Sequence, residues 1–176
     1  MKKIFNRSFF LIILISFGCK KNPDDKKIEI TSNNLTSCPA DLNCTYLYKD
    51  GADFGEPFFL NLKKGDFKIF KYSALLGNGY YAKHVYIRVP LNVTQFELGN
   101  DQVLAGEVKY ANPCASCDVI GLKVVGGSFK GIKSVNANQT SRWLLEGKVY
   151  LSTIQPSSYQ DSIIIKQYFN LDPAGI

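Results

Sequence analysis

Cysteine is the residue whose number and spacing in this sequence suggest chemistry. The chain contains five cysteines: Cys19 stands alone near the N-terminus, Cys38 and Cys44 bracket a short segment, and Cys114 and Cys117 form a Cys-x-x-Cys pair. Such a pair can form a redox-active disulfide, bind a soft metal or close a tight turn. A thioredoxin-type site also needs a βαβ unit around the pair, so the elements that position the cysteines decide between these roles.

The segment before Cys19 has the composition of a secretory signal. Three basic residues within the first seven positions precede an apolar run over residues 9–15. That run is shorter than the roughly 20 residues that a helix needs to cross a bilayer. A positive start, a short apolar core and the small residues Ser16 and Gly18 are typical of a segment that a signal peptidase removes.

The four residues that end at Cys19, Ser-Phe-Gly-Cys, resemble the lipobox of bacterial lipoproteins. In that family a peptidase cuts before a cysteine that carries a diacylglyceryl thioether, and the new amino group is then acylated. The resemblance implies a signal peptide over residues 1–18, lipidation of Cys19 and a flexible tether over residues 19–35. Ser16 and Phe17 depart from the usual lipobox residues, and the Ser-x-Gly spacing also fits ordinary signal peptidase, which leaves that alternative open.

The residue after Cys19 bears on the membrane that such a protein occupies. In the better-known lipoproteins an aspartate at this position favours retention in the inner membrane, whereas here Lys20 follows the cysteine. The resemblance therefore implies lipid anchoring in the bacterial outer membrane, facing either the periplasm or the cell surface. Several acyl chains anchor a protein stably in the membrane, because each buried methylene contributes about 0.8 kcal/mol to membrane binding. One chain alone binds the membrane only marginally.

The other four cysteines form an even set, which an exported protein can close as disulfides. Four cysteines allow three connectivities. We expect Cys38–Cys44 and Cys114–Cys117, because neighbouring cysteines close small loops without demanding a particular fold.

Alternation of apolar and polar residues dominates the sequence after residue 35. No window of ten or more residues has the apolar spacing of an amphipathic helix, and turn-forming residues separate short apolar-polar runs. The predicted strands cover residues 45–49, 58–62, 67–75, 80–89, 94–98, 102–110, 119–125, 129–134, 143–151 and 162–169. We therefore predict one all-β domain over residues 36–176, either an antiparallel β-sandwich or an up-and-down, lipocalin-like barrel.

Within two of these strands the alternation identifies the side chains that face the core. The inward set is Trp143, Leu145, Val149, Leu151, Ile163 and Ile165. Residues 50–57 are dense in turn formers and predict a loop, as do residues 64–66 and the glycine pair at 126–127.

The charge of +6 does not indicate a nucleic-acid-binding domain. Setting aside the three basic residues of the leader, and the four lysines and two aspartates of residues 20–27, leaves 14 basic and 13 acidic residues. A nucleic-acid-binding protein carries its positive excess on the fold, where phosphate neutralisation supplies most of the affinity. We expect no nucleic-acid partner.

Two groups of residues are candidate metal ligands. Asp50, Asp53 and Glu56 place three carboxylates in one predicted loop, which is a conceivable calcium site, although their spacing fits no EF-hand. Cys114 and Cys117 are candidate ligands for a soft metal. Solvated turns are rich in aspartate and exported Cys-x-x-Cys pairs commonly close as disulfides, so we expect no resident cofactor.

Tyrosines are the candidate ligand-binding residues. Tyr80, Tyr81 and Tyr86 lie in or beside one predicted strand, and outward tyrosines on a sheet form rigid, amphipathic platforms. The chain has one histidine, His84, and no Gly-x-Ser-x-Gly segment, so we recognise no catalytic constellation and expect no enzyme activity.

The segment 113–120, Pro-Cys-Ala-Ser-Cys-Asp-Val-Ile, also resembles the Pro-Cys-Ala-x-Cys segment of copper-stress envelope lipoproteins, which have a lipocalin-like barrel. That resemblance covers eight residues and implies a copper-responsive or redox role for Cys114 and Cys117.

Together these features predict a lipid-anchored envelope protein whose β-domain binds without catalysis. The expected partners are the membrane, through the lipid anchor, and an envelope protein, a glycan or a small apolar ligand. A copper- or redox-responsive Cys-x-x-Cys lipoprotein and a lipocalin-like carrier of a small ligand are the alternatives.

Overall fold

The computed structural model of the protein describes residues 27–56, 61–77, 81–113, 121–153 and 160–174. Over these ranges β-strands are the dominant secondary structure, with one short helical segment, which confirms the predicted all-β class. The elements are β1 (Leu42–Phe54), β2 (Leu62–Leu76), β3 (Ala82–Pro90), β4 (Gln95–Leu98), the short helix α1 (Asn100–Gln102) with the π-helical turn Val103–Glu107 that follows it, β5 (Val108–Ala111), β6 (Leu122–Val135), β7 (Ser141–Thr153) and β8 (Gln160–Leu171).

The eight strands form one sheet in the order β4-β6-β7-β8-β1-β2-β3-β5. Neighbouring strands are antiparallel except for β1 and β8, which run parallel over a short stretch where Leu47 pairs with Asn170 and Tyr48 with Leu171. The sheet is therefore mixed, and the parallel pair joins two otherwise antiparallel halves.

The connections between strands require this sheet to curl. β3 and β4 lie six strand spacings apart in the sheet order, which is about 29 Å in a flat sheet. Only residues 91–94 join them, and this link spans at most about 17 Å. The sheet accordingly bends until the edge strand β5 approaches β6, and the result is a half-barrel with a closed-over interior.

Aromatic side chains fill that interior. Phe70 is fully buried, and its ring centroid lies 5.3 Å from that of Trp143, 5.5 Å from Phe96 and 5.7 Å from Phe169. Each such pair stabilises the fold by about 0.5–1.5 kcal/mol beyond the area it buries. The predicted inward set is confirmed: Trp143, Leu145, Val149, Leu151, Ile163 and Ile165 are all buried in this core.

Two glycines make room for the rings. Phe129 pairs across the strands with Gly147, and Phe96 pairs with Gly131. A Cβ atom added to either glycine would collide with the ring of its partner. The absence of these two side chains lets the rings lie over the neighbouring strand and pack at the centre of the half-barrel.

The residues ahead of β1 cross the outer face of the sheet, and we call residues 27–36 the N-terminal strap. The amide of Ile28 donates to the side-chain oxygen of Gln95 on β4 at 3.0 Å. The amide of Thr36 donates to the carbonyl of Lys166 on β8 at 2.8 Å. Ile30, between them, is buried. Within the predicted flexible tether of residues 19–35, the described residues 27–35 thus pack on the sheet through apolar and backbone groups.

The disulfide between Cys38 and Cys44 is present, as predicted, with the two Cα atoms 5.7 Å apart. It joins the end of the strap to the first residues of β1. Cys19, Cys114 and Cys117 lie outside the described residues.

Three predicted loops are wrong, because the chain stays in the sheet there by forming bulges. β1 continues through residues 50–54. On β2, residues 65–66 have no partner on β1 and form a bulge, since Ala52 pairs with both Lys64 and Phe67. Gly126 and Gly127 lie within β6 beside a register shift, with φ angles of 156° and 149°. Glycine adopts such angles at low cost, so the pair permits a bulge where the sequence suggested a turn.

The predicted strand over residues 102–110 is also wrong in its first half. The π-helical turn occupies Val103–Glu107, and β5 begins at Val108. Leucine and alanine favour helix at this point, and Gly106, with φ of 96°, ends the turn before the strand. Among the residues that the structure describes, no helix has the length and apolar character needed to cross a membrane.

We predict that Gly147→Ala destabilises the protein by about 1–3 kcal/mol, because the new methyl group forces the buried Phe129 ring to move. Chemical denaturation of the purified protein measures this change. Gly77→Ala is the matched control, since a Cβ at Gly77 meets no atom within 4 Å. Equal stability of the two variants would contradict the packing of Phe129 over Gly147.

Candidate functional site

One end of the half-barrel carries a group of tyrosines. The strand registers place the start of β1, the junction of β2 with β3, the end of β5 and the start of β8 at this end. The residues that face inward here are Tyr46, Tyr72, Tyr81, Tyr110, Lys83 and Asp161, which we call the tyrosine end.

The tyrosine rings form a continuation of the aromatic core. The ring centroids of Tyr46 and Tyr72 are 5.3 Å apart, and the ring of Tyr46 meets that of Phe169 edge-on at 5.6 Å. Tyr46 and Tyr110 are partly buried and pack against the core. Their rings therefore have fixed positions, and the hydroxyl oxygen of Tyr110 is itself buried.

A charged pair crosses the interior at the same level. The ammonium group of Lys83 on β3 donates to a carboxylate oxygen of Asp161 on β8 at 3.0 Å, and each side chain is about one quarter exposed, at 26% and 24%. Strands β1 and β2 lie between β8 and β3 in the sheet. The contact is therefore possible only because the sheet is curled.

Burial affects the ionisation of three tyrosines and of the lysine at the tyrosine end. Burial, with the nearby Tyr81, raises the pKa of Tyr110 to about 12. Burial also raises the pKa values of Tyr46 and Tyr72. For Lys83, burial lowers the pKa, but the hydrogen bond to Asp161 and the neighbouring charges outweigh it and the pKa is raised. The site therefore contains aromatic rings, hydroxyl groups and one ion pair, Lys83 with Asp161.

This arrangement has the features of a ligand-binding surface. Rigid tyrosine rings supply contact area at low cost in conformational entropy, and the hydroxyls supply hydrogen bonds. Across the described ranges no three histidine, cysteine or acidic side chains converge as metal ligands. The tyrosine end is the candidate ligand-binding site.

The structure divides the three tyrosines predicted as one platform. Tyr81 belongs to the tyrosine end. Tyr86 lies on the opposite face of β3 and is only 1% exposed, so its place in an outward platform is wrong. Tyr80 lies outside the described residues. The sequence reasoning missed Tyr72, Tyr110, Lys83 and Asp161, because alternation does not reveal that β3 pairs with β5 or that β8 meets them in the curled sheet.

The predicted calcium ligands do not come together. Asp50 forms a salt bridge with Lys68, Asp53 accepts a hydrogen bond from Arg88 at 2.8 Å, and Glu56 is exposed. Burial raises the pKa of Asp53, but hydrogen bonds from Arg88 and from the Phe54 amide outweigh it and hold the pKa below its usual value. The two aspartates are thus neutralised by cations, and no calcium site forms from these residues.

The cation that binds Asp50 closes the other end of the interior. Lys68 is 5% exposed, and its ammonium group lies 4.9 Å from the ring centroid of Tyr48 and 5.5 Å from that of Trp143. These cation–π contacts, together with the salt bridge to Asp50, compensate the burial of the charge. The interior is therefore sealed by Lys68 at one end and bounded by the tyrosine end at the other.

His84 has a structural partner on the outer face. Its Nδ1 atom lies 2.8 Å from the hydroxyl oxygen of Ser73, and both residues are buried. Burial, with the nearby Lys71, lowers the pKa of His84 to about 4. The imidazole is neutral at physiological pH, and the nearby charge is a cation rather than the carboxylate of a catalytic triad. We assign the pair a structural role.

Comparison of the chain with protein-family models, with curated proteins and with solved structures gave no match.

We predict that the stability of the protein falls by about 1 kcal/mol between about pH 7.5 and about pH 5.5 because of His84. In the unfolded chain its pKa is about 6.5 and in the folded protein about 4. The unfolded state therefore binds the proton first, so stability is lost as the pH falls through about 6.5 and the loss is complete below about 4. Denaturant unfolding at several pH values measures the slope.

The control for this experiment is His84→Gln, which keeps a hydrogen-bonding group beside Ser73 without a titratable ring. Because the chain has one histidine, the slope between about pH 5.5 and about pH 7.5 should disappear in the variant. A slope that persists unchanged in His84→Gln would show that other groups cause it.

Proposed function

We propose that the protein is a lipid-anchored protein of a bacterial outer membrane whose half-barrel binds an extended peptide segment of another envelope protein at the tyrosine end. The observation that carries this proposal is the convergence of Tyr72, Tyr81 and Tyr110 on the Lys83–Asp161 pair, with the ring of Tyr46 packed against that of Tyr72.

The chemistry of the tyrosine end fits a peptide backbone. An extended peptide presents uncharged amide donors and acceptors, which tyrosine hydroxyls and the oppositely charged ends of Lys83 and Asp161 can satisfy without a change in net charge. Tyrosine rings add apolar contact with side chains. A strongly charged ligand would meet no net opposite charge among these six residues.

The sequence ahead of the domain supports the anchor. Cys19 ends a lipobox-like segment, and Lys27, the first described residue, follows it by eight positions. These positions reach at most about 30 Å, so acyl chains on Cys19 would hold the half-barrel close to the lipid surface. The Cys38–Cys44 disulfide agrees with export to an oxidising compartment.

The packing of the interior speaks against the lipocalin-like alternative. A small-ligand carrier needs an apolar cavity of about 300 Å³ or more, whereas the centre of this half-barrel is occupied by the rings of Phe70, Phe96 and Trp143. The copper or redox alternative depends on Cys114 and Cys117. Thiol titration of the native protein tests it, since two or more free thiols that a metal protects would favour it and the absence of free thiols would end it.

We predict that the full-length protein, extracted with detergent, retains a protease-sensitive partner from an envelope fraction, and that Tyr81→Ala and Lys83→Met each reduce this retention severalfold. Both variants remove groups from the tyrosine end without touching the core. Capture followed by mass spectrometry measures retention, and circular dichroism verifies that the variants remain folded.

Thr45→Ala is the matched control, because Thr45 is an exposed residue of β1 outside the tyrosine end and should leave retention unchanged. Retention of a protease-resistant glycan would contradict the peptide as ligand. Retention that is equal in all variants would contradict the tyrosine end as the site.

The anchor has its own test. We predict that mass spectrometry of the mature protein from membranes finds an N-terminal Cys19 peptide that carries a diacylglyceryl group and an amide-linked acyl chain. A mature protein that begins with an unmodified thiol would contradict the lipid anchor, whatever the binding experiment shows.

A further inference from the structure

Three exposed apolar side chains lie together on the outer face of β6, β7 and β8. Val125, Tyr150 and Ile164 are 40%, 48% and 58% exposed, and we call them the apolar patch. The remainder of the face below them carries the salt bridges of Glu146 with Lys130 and Lys166, at 3.2 Å and 3.5 Å.

The strand registers make the patch contiguous. Tyr150 pairs with Ser162, so Ile164 is its diagonal neighbour on the same face of β8, at a distance that an aromatic ring bridges. Val125 occupies the bulge of β6 directly before Gly126, which pairs with Tyr150. A Cβ atom on Gly126 would lie 3.8 Å from the Tyr150 ring, so the ring extends over β6 towards Val125.

Lysines surround the patch. The ammonium group of Lys148 lies 4.6 Å above the ring centroid of Tyr150, and Lys148 pairs with Ile164 across the strands. Lys123 is exposed on β6, in the row of Ser152. Neither lysine forms a salt bridge with another described residue. Glu146, two positions before Lys148, pairs with Lys130 and Lys166, and Asp161 faces the interior and pairs with Lys83.

The N-terminal strap covers the other half of the same face. Leu144 points outward, since its neighbours Trp143 and Leu145 face the core, yet it is only 3% exposed. The strap crosses the sheet at this level, from Gln95 to Lys166. The strap thus covers one half of the face, whereas Val125, Tyr150 and Ile164 on the other half remain exposed among the described residues.

The first described residues of the chain lie at this face of the sheet. The strap begins beside β4, on the edge of the sheet next to β6, and Cys19 stands eight residues before Lys27. Residues 20–27 contain four lysines and two aspartates, so the connection to the anchor carries the same positive excess as the surroundings of the patch.

We propose that the apolar patch, with Lys123 and Lys148, docks on the anionic headgroup surface of the membrane in which the acyl chains of Cys19 insert. This inference rests on the proposed lipid anchor. A tyrosine with its ring in the interface, flanked by lysines whose ammonium groups reach the headgroups, is an arrangement that lipid interfaces favour. The short tether keeps the apolar patch near the lipid. The patch can therefore stay in contact with the membrane even if its own affinity for lipid is too weak to bind the protein without the anchor.

Docking would also orient the ligand site. The patch lies on the half of β6–β8 that is closer to the tyrosine end, since Lys123 pairs with Ser152 and Ser152 with Gln160 at the ends of these strands. The docked domain therefore holds the tyrosine end beside the membrane surface, where it meets segments of other proteins close to the lipid.

The experiment uses the full-length lipidated protein in liposomes of phosphatidylethanolamine and phosphatidylglycerol that contain brominated acyl chains. Tyr150→Trp introduces a reporter whose fluorescence bromine quenches on contact with the lipid. Native Trp143 is 1% exposed inside the core and serves as an unquenched background. Lys63→Trp is the matched control, at an exposed residue of β2 on another part of the sheet.

We expect severalfold stronger quenching for Tyr150→Trp than for Lys63→Trp, and a loss of that difference when Lys123→Glu and Lys148→Glu are added or when salt screens the charges. Equal quenching of the two reporters, in protein that floats with the liposomes, would overturn the docking and leave the anchor intact. A reporter at 150 that is shielded from acrylamide but unquenched by bromine would mean a protein occupant and would overturn the lipid as partner. Protein that does not float with the liposomes would overturn the anchor and the docking together.

Discussion

The curl of the single sheet is the constraint on which the rest of this structure depends. A link of four residues between β3 and β4 brings together two strands that lie near opposite edges of the sheet, and the sheet can bend that far only if its concave side is filled. Phe96 and Phe129 fill it by lying over Gly131 and Gly147. Larger residues at these two positions would hold the rings away from the strands and leave the centre of the half-barrel poorly packed.

The curl also makes the two faces of the sheet pack differently. On the concave side the middle is filled by aromatic and aliphatic side chains, and an ion pair lies at each end, Lys68 with Asp50 and Lys83 with Asp161. On the convex side no second layer covers the described strands, and burial there is local. The N-terminal strap covers part of β6–β8, and a smaller cluster around Ile69 and Tyr86 occupies the outer face of β1–β3.

Much of the fold follows from the sequence, because alternation reports which side chains face the core. Trp143, Leu145 and Ile165 are identified in this way, and the Cys38–Cys44 disulfide follows from proximity along the chain. The alternation of apolar and polar residues does not distinguish a bulge from a turn. For this reason Gly126 and Gly127 were predicted to form a turn, although they lie at a bulge within β6. It also carries no information on which strands meet, so the pairing of Lys83 with Asp161, 78 positions away, and with it the tyrosine end, emerges only from the topology.

Zero-length carbodiimide cross-linking of Lys83 to Asp161 tests the curled sheet most directly. In a flat sheet these residues would lie about 14 Å apart, three strand spacings from each other, whereas in the half-barrel their charged groups are 3.0 Å apart. We expect an amide bond between these two side chains, detected by peptide mass spectrometry, at a yield comparable to that of the neighbouring-strand pair Lys130–Glu146. Formation of the Lys130–Glu146 cross-link without any Lys83–Asp161 cross-link would contradict it.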